Sequence, residues 1–279
     1  MGAIMDMNDS KSKKVERFLA KPDIHEKWEH DYRTTEAQNF YEEAFDYITH
    51  FLSAPKDSIF LDAGCGTCAH SIRLAKRGFL VQAVDFSENI LEKAKANVRA
   101  KAVETRIIIQ REDILSFSFK DETFDYVLCW GVLMHIPDLE KAISELTRIL
   151  KPGGTLVISE ANMYSLQAII LRNLKRFLGK EKAEVKKTPA GIEYWIISSS
   201  GALLTREANI RWLNDRFRNN GFSVRKRVAG QLTELYTRVS FRPLKKLIHG
   251  LNKYWFKYIK IPHPAFGNIV ILEKGRKLR

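Results

Sequence analysis

Three aspartates, Asp62, Asp85 and Asp113, each stand in or just beyond a short apolar run. The first lies in Ile59-Phe60-Leu61-Asp62-Ala63-Gly64-Cys65-Gly66, whose opening four residues read as a buried strand. Gly64 and Gly66 then allow a sharp turn and leave no Cβ between the backbone and whatever lies against it. Ala69, Ile72, Leu74 and Ala75 recur at helical spacing, so the free amides and positive dipole end of a helix sit beside that turn. Strand, glycine turn and helix start, in that order, make a seat for a nucleotide-like ligand. A carboxylate inside the turn repels a pyrophosphate and suits a ligand carrying positive charge. Asp85 lies 19 residues beyond Gly66, where a carboxylate can accept both ribose hydroxyls of a nucleoside.

The elements that must position these groups are legible at coarse grain. The spacing predicts a helix from Ile24 to Leu52, rich in aromatics, which Pro55 breaks before the first strand. Leu80 to Asp85 reads as strand two, with Ser87 placed to cap the helix running to about Arg99. Arg106 to Gln110 and Phe124 to Trp130 read as strands three and four, and Asp138 as the cap of a helix from Leu139 to Leu150. Strands alternating with helices imply a parallel, doubly wound sheet.

The Asp62-x-Gly64-x-Gly66 form resembles the first motif of the class I S-adenosylmethionine-dependent methyltransferases, with Cys68 where a third glycine is common. Arg111-Glu112-Asp113-Ile114-Leu115 resembles the family's third cofactor motif. There an aspartate accepts from the adenine amino group and the next apolar residue packs on the ring, implying these roles for Asp113 and Ile114. Glu112 is read as a solvated acidic turn. Gly131 to Asp138, beginning Gly-Val-Leu-Met-His, resembles the segment after strand four in the small-molecule branch that includes ubiquinone- and menaquinone-biosynthesis methyltransferases. Leu150 to Glu160 resembles the fifth strand of the same fold. The resemblance covers residues 59–160 and implies S-adenosyl-L-methionine as cofactor. The implied cofactor contacts are Asp62, Gly64, Gly66, Asp85, Phe86, Asp113, Ile114 and Trp130. It also implies an α/β fold with a mostly parallel seven-stranded sheet and an antiparallel last strand. Residues 1–56 are expected as a leader and helical cap, 57–162 as the cofactor-binding core, and 163–279 as the end of the sheet with basic helical insertions.

Methyl transfer by in-line attack needs placement and exclusion of water more than a covalent intermediate, so no triad is expected. For a hydroxyl acceptor a base helps, and His135 is the first candidate because imidazole titrates near neutrality. The competing reading, that His135 orients the loop after strand four, ranks ahead of it. Tyr32 is the second catalytic candidate; the resemblance implies that one of Trp28, Tyr32 and Arg33 lines the cofactor pocket, and His25 and His30 are weaker bases. A dehydrogenase would use the same sheet, and Asp62 and the Asp113 motif argue against it. A non-catalytic nucleoside-binding protein of this fold, or an RNA methyltransferase using a basic surface, are the alternatives.

Composition narrows the partners. The 45% hydrophobic content supports a real core. No apolar run reaches membrane-spanning length, and the polar start lacks a secretory signal, so a cytoplasmic location is expected, with peripheral attachment to the inner membrane face as an extension. Residues 1–14 are expected to be unstructured. Cys65, Cys68 and Cys129 make no disulfide framework, and Cys65-x-x-Cys68 lacks the further ligands a zinc site needs. No metal is expected. Residues 171–279 hold 25 Lys and Arg against 7 Asp and Glu, while residues 1–170 hold 21 against 26. The net charge of +13 therefore belongs to the C-terminal part.

That part is read as follows. Tyr164 to Leu178 is an amphipathic helix, 180–189 a mobile connector, and Thr205 the start of a helix to about Asn220. Phe222 to Val228 and Asn268 to Glu273 are strands. Pro243 to Lys260 puts apolar residues on a wide helical face flanked by lysines. The stripe either packs inward, the commonest case, or rests on an anionic membrane and presents a lipid, or attracts an anionic acceptor. A small-molecule, lipid or glycan acceptor ranks above nucleic acid, since no RNA-binding module is present.

Overall fold

The apolar runs pair into one seven-stranded sheet in the computed structural model, which describes residues 11–21, 34–179, 183–199 and 201–276. Its strands are β1 (Ile59–Ala63), β2 (Leu80–Asp85), β3 (Ile107–Arg111), β4 (Phe124–Trp130), β5 (Leu150–Ala161), β9 (Phe222–Ala229) and β10 (Gly267–Lys274). Their order is β3-β2-β1-β4-β5-β10-β9. The first five are mutually parallel and β10 runs antiparallel to both its neighbours. This is the sheet expected from the alternation of strands and helices.

Helices cover both faces, which is why the central strands read as continuous apolar runs. On one face α5 (Leu139–Ile149) and α7 (Ile210–Asn219) bury Ile143, Leu146, Leu213 and Phe217 against β4, β5 and β10. On the other, α2 (Thr35–Leu52), α3 (Ala69–Lys76) and α4 (Glu88–Ala100) bury Phe45, Ile48, Leu74 and Leu91. Each such side chain stabilises the fold by roughly 1.5–3 kcal/mol through area removed from water. The Asp138 carboxylate accepts from Lys141 N at 3.1 Å, the cap read from sequence. Ser87 makes no capping bond through its hydroxyl, while its amide donates to Asp85 Oδ1 at 3.0 Å.

The C-terminal third departs from the expected helices. A second, antiparallel sheet forms from β6 (Glu184–Thr188), β7 (Gly191–Ser198) and β8 (Gly201–Ala208), so half of the expected connector 180–189 is a strand. Thr205 lies in β8, and the helix begins only after Asn209, whose side chain accepts from Trp212 N. The charged run around Lys186 sits on an exposed edge strand, where alternation is weak and lysines are usual.

Residues 11–14 are also ordered, against expectation. They open α1 (Lys11–Leu19), whose Val15 and Leu19 pack on Trp195, Ala202 and Leu204 of the small sheet. Between β5 and β6 lies α6 (Leu166–Leu178), and between β9 and β10 lies α8 (Arg242–Tyr254), which runs on as a π-helical turn, Trp255–Ile259. Of the expected helix Ile24–Leu52, Thr35–Leu52 is present; residues 22–33 lie outside the described residues.

Candidate functional site

The turn after β1 is built by backbone strain that its residue types allow. Gly64 has φ +82° and Gly66 φ +53°. A Cβ on Gly64 would stand 2.5 Å from Val132 Cγ2, so only glycine lets the loop after β4 close onto this turn. Cys68, at φ 63°, occupies the same left-handed region, which explains why the resembled family favours glycine there. Gly64 N and Cys65 N donate to Val84 O, at 2.9 and 2.8 Å, pinning the turn against β2. A cavity of about 710 Å³ opens over this turn, across the carboxyl ends of β1, β2, β4 and β5.

Asp85, Phe86, Asp113 and Ile114 line one end of that cavity. Asp85 is buried and its two oxygens accept from Gly66 N and Ser87 N, each at 3.0 Å. An ionised carboxylate offers about four acceptor sites, so these two amides do not fill it on their own. Asp113 Oδ1 takes Leu115 N at 2.8 Å and stays half-exposed, with Ile114 buried beside it. Glu112 differs from its reading as a solvated turn: it is buried and accepts from Ser118 N at 2.9 Å and Gln110 Nε2 at 2.6 Å. Its carboxylate shapes the Asp113 loop from below.

Asp62 is placed one layer behind the cavity. It is buried, and the Ser71 hydroxyl of α3 donates to its Oδ2 at 2.5 Å. Burial pushes its carboxyl up to about 6, the Ser71 hydrogen bond opposing that and the Asp85 carboxylate adding to it. It ties β1 to the helix that carries the turn, and does not line the cavity wall. Asp62 was expected as a ligand contact; the structure places its carboxylate against Ser71, behind the residues that line the cavity.

The far wall is aromatic. Trp130 closes β4 with its ring 5.0 Å from His70, 5.5 Å from Phe45 and 6.1 Å from Tyr41. Tyr41, His70 and Trp130 face the cavity. Burial, helped by the neighbouring Arg73 guanidinium, holds His70 well below its ordinary value. Burial pushes the Tyr41 hydroxyl up.

Beyond Trp130 the loop 131–137 is held by groups that motif reading missed. Glu160 Oε1, at the end of β5, accepts from Leu133 N at 3.1 Å. Arg206 of β8, itself buried, donates through Nη1 to Leu133 O at 3.0 Å and Ile136 O at 2.9 Å, and its Nη2 pairs with Glu193 at 2.8 Å. His135 Nδ1 donates to Leu204 O at 2.7 Å, which sets the tautomer and leaves Nε2 as the basic nitrogen. The loop is thus clamped between core sheet and small sheet. His135, Glu160 and Arg206 all line the cavity. Burial pushes the Glu160 carboxyl up to about 8, against the pull of Arg206, and its Oε2 has no hydrogen-bond partner among the described residues. The only signal for Glu160 in the sequence was a charged residue ending an apolar strand.

Tyr32, Trp28, Arg33, His25 and His30 lie outside the described residues. Among the described residues no group of three His, Cys, Asp or Glu could hold a metal ion, and Cys65, Cys68 and Cys129 are free, buried thiols.

Residues 61–158 match the family model described as "Methyltransferase domain". A Haemophilus influenzae protein described as uncharacterized is 32% identical over 152 residues, which are 52% of this chain and 59% of that protein. The ubiquinone biosynthesis O-methyltransferase of Coxiella burnetii is 35% identical over 118 residues, 42% of this chain and 46% of that protein. The chain therefore spans about half the length of these curated relatives. Among solved structures, the magnesium protoporphyrin IX methyltransferase of Synechocystis with bound SAH superposes with a TM-score of 0.62 at 17% identity. That superposition covers 94% of this chain and 100% of that one, which shows a shared fold. These matches agree with the family resemblance carried by residues 59–160.

Proposed function

We infer that this chain is a class I S-adenosylmethionine-dependent methyltransferase acting on a small-molecule acceptor. The observation that carries the reading is the Gly64–Gly66 turn, tied through Gly66 N to the Asp85 carboxylate, over a cavity that continues past Trp130 to His135. The residues present fit that cofactor. The turn is too tight at Gly64 for any side chain, the Asp85 carboxylate lines the cavity as an acceptor for ribose hydroxyls, and the Asp113–Ile114 pair offers one polar edge and one apolar face.

Bound there, S-adenosylmethionine supplies an electrophilic methyl group on a positively charged sulfur. The protein's part is placement. Asp85 orients the ribose, Ile114 and Phe86 enclose the base, and the faces of Trp130 and Tyr41 favour the cationic end. Loop 131–137, clamped by Glu160 and Arg206, keeps water from the acceptor. For a hydroxyl acceptor, His135 Nε2 takes the proton while Leu204 O holds Nδ1–H.

Calorimetric titration with S-adenosylmethionine and, separately, with NAD tests the cofactor. Binding of the first alone is expected, and binding of NAD alone would reverse the reading. His135→Gln is expected to lower kcat by about 10²-fold and to remove the acid limb of its pH profile. A pH profile of unchanged shape would reduce His135 to an anchor of the loop. Turnover against quinol, sterol-like and saccharide acceptors then identifies the substrate.

A further inference from the structure

Thirteen of the twenty exposed large hydrophobic side chains among the described residues fall on two segments, Leu166–Leu178 and Phe241–Ile261. On α8 and its π-helical extension, Leu244, Leu247, Leu251, Tyr254 and Tyr258 are 42–69% exposed. Their spacing of three and four residues makes one helical stripe, and the opposite face buries Ile248, His249 and Asn252. The stripe thus faces outward, against the inward packing that is commoner for such a pattern. On α6 the stripe of Leu166, Ile170, Leu174 and Phe177 is likewise 48–87% exposed. No helix among the described residues is long and apolar enough to cross a membrane.

Helices α6 and α8 adjoin one side of the cavity through the segment that joins them. Gln167 of α6 accepts from Glu234 N at 2.7 Å, and Asn252 of α8 accepts from Thr233 N at 3.0 Å and donates to Thr233 O at 2.8 Å. Residues 233–234 therefore join both helices. Gln167, Lys175, Glu234 and Arg238 belong to the cavity wall.

Charge decides what covers this face. Residues 161–180 and 235–272 contain no Asp or Glu at all, whereas Lys175, Arg176, Lys246, Lys253 and Lys257 flank the stripes. Among the described residues Lys253 is the one of these that pairs with an acid, Glu43 at 3.1 Å. Two copies of such a face would repel, which disfavours a second chain as occupant. An anionic bilayer satisfies both halves of the pattern. Apolar and aromatic side chains enter the headgroup boundary while the lysines meet lipid phosphates.

We propose that α6 and α8 form a docking face for an anionic phospholipid surface, beside the acceptor side of the cavity. A lipophilic acceptor then reaches loop 131–137 from the bilayer without crossing water. The docking face stands on its own observations; the acceptor route rests on the methyltransferase reading above.

Sedimentation of the full chain with vesicles of phosphatidylglycerol and phosphatidylcholine, against phosphatidylcholine alone, is the direct test. Preference for the anionic vesicles is expected, with partitioning falling roughly tenfold or more between low and high salt. The double variant Leu247→Glu, Leu251→Glu, and separately Lys246→Glu, Lys253→Glu, should each lower partitioning at least about tenfold. S-adenosylmethionine affinity, measured calorimetrically on the same preparations, should be unchanged, which also shows that the variants fold. Absence of vesicle binding at low salt overturns the proposal, as does pelleting insensitive to both variants. So does a concentration-dependent dimer that the Leu247→Glu, Leu251→Glu change dissolves, since the face would then serve a second copy. If the protein binds S-adenosylmethionine but no vesicles, docking fails and the methyltransferase reading stands. If it binds vesicles but not S-adenosylmethionine, the reverse holds.

Discussion

Asp85→Ala is expected to weaken S-adenosylmethionine binding by about a hundredfold while leaving the sheet folded. A hydrogen bond to an ionised group contributes about 1.5–3 kcal/mol, and a hundredfold corresponds to about 2.7 kcal/mol. Two ribose hydroxyls donating to one carboxylate, less the cost of holding them, reach that size. The substitution also removes the acceptor of Gly66 N and Ser87 N, both 3.0 Å away, and so loosens the turn that the ligand lies on. Asp85→Asn should retain the Ser87 bond but turn its amide toward Gly66 N–H, a donor facing a donor. It is therefore expected to recover little of the lost affinity. Calorimetric titration gives the dissociation constants, and circular dichroism on the same samples shows whether the fold persists. An unchanged affinity for Asp85→Ala would mean that the ligand lies elsewhere.

A second large effect is expected in stability rather than binding. The Glu160 carboxyl is held up to about 8 by burial, against an ordinary value near 4.5. Between those values the folded chain keeps a proton that the unfolded chain has released. Stability therefore falls as pH rises through that window, by about 1.4 kcal/mol per pH unit. By pH 7 the loss amounts to roughly 3 kcal/mol. Glutamine has no such linkage, and its carbonyl can still accept from Leu133 N. Glu160→Gln is accordingly expected to match the parent near pH 4 and to exceed it by several degrees in Tm at pH 8. Thermal unfolding across pH 4–9 checks this. Parallel curves for the two proteins would show that Glu160 is ionised in the folded state.

A buried carboxyl at this position has a structural use that explains its retention at such a cost. Leu133 N needs an acceptor inside the fold, and Glu160 supplies it from the neighbouring strand end. Arg206 satisfies the carbonyls of the same loop. Removing either leaves buried backbone groups unpaired, which costs about 1–3 kcal/mol each.

Residues 59–160 were decided by the sequence, because their signals are local. Gly64 and Gly66 announce a turn through the conformations open to glycine. The runs at Leu80–Asp85 and Phe124–Trp130 announce strands covered on both faces, and Asp138 announces a helix by capping three residues ahead. Order and spacing then settled the alternation of the core sheet, and the family resemblance implied Asp85, Phe86, Asp113, Ile114, Trp130 and His135, which the fold gathers at one cavity. What only the tertiary structure decided is non-local. Asp62 turned inward because Ser71, nine residues on, offers its carboxylate a buried donor. Strands β6 to β8 form because antiparallel partners and α1 complete them, and Glu184–Thr188 by itself shows only charge. Arg206 reaches Leu133 across 73 residues, and His135 reaches Leu204 across 69. No periodicity within either segment encodes such a contact, since it depends on where two sheets come to rest against one another. The outward apolar stripe of α8 belongs to the same class: helical spacing fixes that a stripe exists, and only packing fixes which side of the helix meets water.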